Sequence, residues 1–363
     1  MISRKDGLFC ASILLVVGTI LSCGSSAAPQ TVAEIANYVG ADRQTLFEAA
    51  AKKEGTVQVY TVGTQTDPLF KRFGELYPDI RVQVLRAPST QLVRRAYEEA
   101  RAERHVADVF GASVGAMQQL RTYGLFQPLA SPESRMFKQE AVERDRNWVV
   151  DYNSYLNFSY SPKHAPEAAD IKTYDDLLDP RWKGKMTVSG WTSTTAYWVG
   201  AVILAKGEDF LRKLAQQQFT TYEMSPRAVA NLIISGEAPI SPVVFNSHVN
   251  NSKSKGASIE WKALGPTYSN AGGVGISKKA PHPHAAMLLV DFMLSREAQT
   301  MRQGLGYNTP RNDLRNPDGQ PDDVIYLVDR PTFEKDFEYW SDLAARIFGK
   351  GQYHKDGGSP TPE

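Results

Sequence analysis

Four consecutive hydroxyl side chains, Thr192, Ser193, Thr194 and Thr195, follow Trp191 and open an apolar run reaching Lys206. At the start of a helix, Ser and Thr can satisfy amide N–H groups that the helix leaves unpaired. They can equally leave those donors, and the positive end of the helix dipole, to an anion. The residues alone leave both uses open. Upstream, residues 174–179 read as a short acidic helix ended by Pro180, followed by a Lys183-Gly184 turn and a strand over 185–189. The hydroxyls therefore stand at a strand-to-helix corner, with Trp191 either in the core or as a lid.

The first half of the chain supplies the elements that position similar residues. Thr31 and Glu34 have capping-box spacing, and 42–53 reads as a helix ended by Gly55. Alternation over 56–62 and 81–85 and a buried run over 107–110 predict three strands, with helices opened by Asp67-Pro68 and Ser89-Thr90 between them. Such βαβαβ order implies a parallel sheet with crossover helices. Ligands meet such sheets at the carboxyl ends of the strands. Those loops hold Thr64 and Gln65, Arg86, and Ser113. Arg86 could clamp a carboxylate or phosphate through two parallel hydrogen bonds, or simply brace a neighbouring acid.

A second unit begins near Trp148. Alternating apolar residues from Val150 to Tyr160 predict a long strand that Pro162 ends, and helices are expected over 194–206 and 208–217. Ser225-Pro226-Arg227 starts another helix, closed by Gly236, and 240–245 reads as a strand. Arg227 is notable there, because a cation at a helix N-terminus is unfavourable unless an anion is near. Asn246 and His248 follow the strand, and Asn270 opens another over 270–276. His282 and His284 flank Pro283 ahead of a helix over 285–294 and are expected to be solvated loop histidines.

Catalytic patterns are thin. HExxH, P-loop and GxGxxG motifs are absent from strand-to-helix contexts, and both cysteines, Cys10 and Cys23, lie near the start. Gly111-Ala112-Ser113-Val114-Gly115 fits GxSxG after a strand, but no acid and histidine can be assigned as its partners. No enzyme, no catalytic residue and no cofactor are expected.

Four segments resemble one family in order. They are Tyr-Asp-Asp-Leu-Leu-Asp-Pro-Arg-Trp-Lys-Gly-Lys from Tyr174, the stretch 107–129, the stretch 268–294, and Gly304-Leu305-Gly306-Tyr307-Asn308-Thr309-Pro310-Arg311. Together they resemble periplasmic solute-binding proteins of ABC importers, in the branch related to ferric-iron binders. The resemblance implies an α/β, two-lobed periplasmic-binding-protein fold of type II. Each lobe is then a mainly parallel sheet flanked by helices, with hinge strands between the lobes. It implies lobe one at 29–149 and 270–320, lobe two at 150–269, and a C-terminal helix with a frayed tail at 321–363. The site candidates are Thr64, Gln65, Arg86 and Ser113 from lobe one, Trp191, Ser193, Thr194, Arg227, Asn246 and His248 from lobe two, and Asn270 at the return crossing. Ferric binders of this branch use adjacent tyrosines where this chain has Asn246-Ser247-His248-Val249-Asn250. The phenolates that suit a hard cation are missing from that run. A small anionic or polar organic solute is therefore expected, with no metal site; ferric iron, or ligand sensing for a membrane histidine kinase, is the alternative. The partners implied are that solute and ABC permease subunits, met as a monomer.

Composition agrees with a globular protein of two domains: 363 residues, 42% hydrophobic and 22% charged. Residues 1–28 read as an export signal, with Arg4 and Lys5 ahead of an apolar run too short to span a bilayer. Ile20-Leu21-Ser22-Cys23-Gly24 resembles a lipobox, making Cys23 a lipidation candidate and the expected location periplasmic, free or anchored. Setting aside Arg4, Lys5 and Asp6 leaves 39 charges of each sign, which gives no electrostatic case for nucleic acid or bilayer binding.

Overall fold

The computed structural model describes residues 29–62, 66–190, 192–265, 267–316, 324–325 and 333–349. The leader with Cys23, the site candidates Thr64, Gln65 and Trp191, and the side chain of Ser193 lie outside the described residues.

In chain order the first elements are α1 (Val32–Asn37), α2 (Arg43–Glu54), β1 (Thr56–Thr61), α3 (Asp67–Leu76), β2 (Arg81–Arg86), α4 (Ser89–Arg101), β3 (Val109–Ser113), α5 (Val114–Thr122) and β4 (Phe126–Gln127). The long strand β5 (Val149–Tyr160) leads to β6 (Thr187–Ser189), α6 (Thr192–Lys206), α7 (Glu208–Ala215), β7 (Thr220–Tyr222), α8 (Pro226–Ser235), β8 (Ile240–Phe245), α9 (Asn246–Lys253) and β9 (Glu260–Lys262). A second long strand, β10 (Thr267–Ser277), precedes α10 (Pro283–Leu294), α11 (Arg296–Gly304), β11 (Val324–Ile325) and α12 (Phe333–Phe348).

Local chemistry accounts for several boundaries. Thr31 and Glu34 form the capping box of α1, and Gly55 ends α2 in the left-handed region at φ 68°. Leu69, Phe70 and Phe73 form the buried face of α3. Pro88, not Ser89, is the N-cap of α4; Ser89 already lies in the first turn. Along β5 nearly every residue is buried, so the expected alternation gives way to a strand covered on both faces.

The main sheet runs β2-β1-β3-β10-β5-β8. β1 pairs in parallel with β2 and β3, as βαβαβ order requires, whereas β10 is antiparallel to both β3 and β5. A second sheet pairs β6 with β7 in parallel, and a parallel bridge from Met186 to Ile240 sets it beside β8.

Two main apolar clusters flank the middle of β5 and β10. One joins the elements from α1 to α5 with α10, and includes Val149, Val150 and Val274. The other gathers Leu156 and Phe158 of β5 with Trp182, Trp198 and Val243. Helix α12 enters the second cluster through Trp340, Leu343 and Ala344, with Trp340 stacked over Gly200 of α6, where no Cβ would fit.

Helix α10 is mostly apolar and buried from Ala285 to Leu294, so its N-terminal donors need partners within the protein. Glu54 accepts from the amides of His284 and Ala285 at 3.2 and 2.8 Å, and its Oε1 lies 2.8 Å from His284 Nδ1. Asp108 accepts from the His282 amide at 2.7 Å and meets its Nδ1 at 2.9 Å. The two histidines are thus not solvated loop residues. They tie the start of α10 to the end of α2 and the start of β3.

Candidate functional site

Strand register locates a cleft. At its carboxyl end β3 sets Ser113 opposite Gly272 of β10, which in turn lies opposite Tyr152 of β5. From the other side, β8 runs antiparallel to β5 and its last residue, Phe245, lies opposite Leu156. The carboxyl ends of the two half-sheets thus approach one another along β5. Their separation is the four-residue step from Tyr152 to Leu156, roughly 13 Å at the rise of a strand. Between them lies a waist of Asn153, Ser154 and Tyr155.

Helices start at both edges. On the first side, α3, α4 and α5 follow β1, β2 and β3; on the second, α6, α8 and α9 follow β6, β7 and β8. In such βα units the helix N-terminus, with its amide N–H groups and partial positive charge, follows the carboxyl end of the strand. Hydroxyls brace this arrangement: Thr195 donates to the Ser189 carbonyl at 2.6 Å, Ser189 to the Met224 carbonyl at 2.6 Å, and Ser225 caps α8 by accepting from the Ala228 amide at 3.3 Å.

The described candidates take different positions around this waist. Ser113 precedes α5, and its Oγ lies 3.3 Å from Ser89 Oγ, so two strand-end loops of the first half touch there. Arg86 ends β2 and forms an ion pair with Asp67 at the start of α3, with about a third of its side chain exposed. Thr194 is buried in the first turn of α6. Asn270 sits on β10 opposite Ser154, at the waist itself.

Three candidates are committed to internal partners. Asn246 is fully buried, and its Oδ1 accepts from the Tyr155 amide at 2.8 Å, so it joins α9 to the waist rather than offering a free carboxamide. Arg227 resolves its unfavourable place at a helix start by donating to the His248 carbonyl at 2.8 Å and to Asn251 Oδ1 at 3.4 Å. His248 packs edge-on to Phe245, its Nδ1 buried without a hydrogen-bond partner among the described residues. Burial, reinforced by the Arg227 charge, depresses its pKa to about 3, so the ring is neutral.

Other residues of the site were not legible beforehand. The β5–β10 pairing slips between Gly272 and Gly273, leaving Asp151 as the extra residue of a bulge. Asp151 pairs there with Arg302 of α11, both completely buried. Burial holds the Asp151 carboxyl above its usual range against the pull of Arg302. The Arg302 guanidinium lies 5.1 Å from the Tyr152 ring centroid, and the Tyr152 and Tyr307 rings meet at 5.0 Å. With Thr61 and Gly111 these groups enclose a recess of about 20 Å³, room for roughly one water. Gly272 makes this possible, since a Cβ there would fall 2.1 Å from the Tyr152 ring. Asn308 pairs through its main chain with Asn153, and its buried carboxamide has no partner among the described residues.

Ser113 hydrogen-bonds neither a histidine nor an acid among the described residues, and no cluster of three His, Cys, Asp or Glu side chains able to hold a metal occurs among them.

Comparisons with known proteins agree with this geometry. The family pattern described as bacterial extracellular solute-binding protein matches residues 58–308. Iron uptake protein A2 of Synechocystis sp. is 23% identical over 274 residues, covering 69% of this chain and 76% of that protein. Iron-bound HitA from Pseudomonas aeruginosa superposes with a TM-score of 0.65 at 20% identity, over 80% of this chain and 99% of that one. The Trichodesmium protein IdiA (FutA), in complex with iron and citrate, gives 0.64 at 17% identity, over 81% and 99%. The fold is accordingly that of the type II periplasmic binding proteins. With two thirds of its length matched by the family pattern, the chain belongs to the bacterial extracellular solute-binding proteins and is a solute-binding protein of ABC-importer type.

Proposed function

We propose that the chain captures a small anionic or polar organic solute between lobe one (29–149 and 270–320) and lobe two (150–269, with 321–363 adding α12), and delivers it to an ABC permease. The observation that carries this reading is the convergence of two sets of parallel strand ends, each with helix N-termini, on the waist of β5. Such ends offer directed amide and hydroxyl donors, and closing the lobes removes water that would otherwise compete for them. Binding then favours the closed form by its differential affinity for it, and a membrane partner can read that form. Thr64, Gln65, Arg86, Ser113, Trp191, Ser193, Thr194 and Asn270 are the proposed contacts. Arg227, Asn246 and His248 act one layer behind them. The protein is exported, works as a monomer in the periplasm, held at the membrane if Cys23 is acylated, and catalyses no reaction.

Ferric iron is the second reading, because the named relatives and solved neighbours carry iron in their descriptions. Against it stands the run from Asn246 to Asn250, which lacks phenolates. Tyr152 borders the waist and its ring meets that of Tyr307, and burial pushes the Tyr152 hydroxyl well above its ordinary pKa, which disfavours a phenolate.

A thermal-shift panel of carboxylates, phosphate esters, phosphonates, amines and ferric citrate separates the two. A ligand at about 100 times its dissociation constant adds about 2.7 kcal/mol of stability. An organic anion is expected to raise the melting temperature in iron-free buffer. A response to ferric salts alone would overturn the organic-solute reading.

A further inference from the structure

The other edge of the first half-sheet holds a cavity that solute capture does not use. It lies where β3 begins and β10 ends, beside the last turn of α4, with a volume of about 240 Å³. That is just below the roughly 300 Å³ at which drug-sized ligand pockets begin, so it suits a ligand of about one ring. Its floor is apolar: Ala96, Ala107 and Phe110 are buried, and Leu125 is half-buried. Val106 adds an apolar side chain 41% exposed to solvent.

The rim carries charge of one sign. Arg104, Lys278 and Lys279 line it, all exposed, and none has an ion pair among the described residues. His105 stands between them. The one acid in the lining, Glu99, is already engaged: it accepts from Tyr60 Oη at 2.7 and 2.9 Å and pairs with Arg95 at 2.8 Å. The last carbonyls of α4, whose partial negative charge would repel an anion, are covered as well. Glu99 O accepts from the Arg104 amide at 2.9 Å and Ala100 O from the Glu103 amide at 3.1 Å. Three uncompensated cations over an apolar floor complement a molecule with an apolar body and an anionic head.

We propose that this cavity is a second binding site, separate from the interlobe cleft, for a small anion with an apolar or aromatic body. The body rests on Phe110, Leu125 and Ala107, and the carboxylate or phosphate head meets Arg104, Lys278 and Lys279. Because β3 and β10 run from this cavity to the cleft, an occupant touches the same two strands at their opposite ends.

Phenylphosphate is the probe, titrated calorimetrically into the purified full-length chain. Saturable binding is expected, with inorganic phosphate and benzyl alcohol each at least tenfold weaker, since each lacks one half of the recognition. The surface double variant Lys278→Ala/Lys279→Ala should weaken binding at least tenfold, and Ala100→Trp, which fills the cavity, should abolish it. Equal affinity in the wild type and both variants would mean that phenylphosphate binds elsewhere, the cleft included, and overturns the proposal. So does inorganic phosphate binding as tightly as the ester, or the absence of saturable binding at millimolar probe. Capture of the chain by phosphatidylglycerol vesicles without phenylphosphate binding would assign the cations to a lipid surface and contradict it too.

Discussion

At His248 burial and the neighbouring Arg227 charge outweigh anything protonation could gain, which holds the folded-state pKa at about 3 against 6.5 in the open chain. Between those values the unfolded chain binds the proton and the folded chain does not, so stability falls as pH drops below about 6.5. The slope is about 1.4 kcal/mol per pH unit for one such group. His248→Gln removes the titration, and urea unfolding from pH 7 to 5 should lose at least half of its wild-type slope; an unchanged slope would show the ring to be solvated. Asp151 and Arg302 permit a second test at this scale. Arg302→Met leaves a buried carboxylate without its cation and should cost about 3–5 kcal/mol in chemical denaturation, whereas Asp151→Asn with Arg302→Met should recover part of that loss. An additive double variant would deny the coupling. This pair lies 151 residues apart and sits on a bulge, so neither spacing nor periodicity could have joined its members. The loop hydroxyls, by contrast, were legible because a strand end followed by Ser or Thr and an apolar helix is a local pattern. Which of them keep free donors was not, as Asn246 and Arg227 show: their partners come from β5 and α9.

Among the elements, those with a strong period or a sharp stop were readable in the sequence: the amphipathic face of α3, the Gly55 and Gly236 ends of α2 and α8, and the mostly apolar run of β8. Helix α9 was not. Its residues, Asn-Ser-His-Val-Asn-Asn-Ser-Lys, are mostly weak helix formers, and it stands because buried Asn246, Ser247 and Val249 are held against β5 and β8. The same dependence on packing governs α12. Its Trp340 fills the space above Gly200, while Phe337 and Phe348 lie 4.9 and 5.6 Å from Tyr197 and Trp198 of α6. Trp340→Ala should therefore cost about 3–5 kcal/mol and lower the unfolding midpoint of the whole protein. A variant that unfolds like the wild type would show that α12 adds nothing to the second cluster. Since α6 opens with the proposed contacts Ser193 and Thr194, loss of this contact should also weaken solute binding.

Over the whole molecule, two apolar clusters are joined at the waist by β5 and β10, with the pairing of Asn153 to Asn308 and the hydrogen bonds of Ser154 and Tyr155 to Ser247 and Asn246 close by among the described residues. Few continuous elements at a junction between two packed bodies is the geometry of a hinge. The order of elements made two α/β halves legible, because parallel crossover units need helices between their strands. The distance between the halves was not, since it depends on the registers of β3, β8 and β10 along β5. Small-angle scattering of the purified chain, alone and with each compound that raises its melting temperature, tests the closing of these halves directly. A smaller radius of gyration is expected with the bound solute, reversed when the solute is dialysed away. A stabilising solute that binds at one per chain and leaves the scattering curve unchanged would contradict such closing.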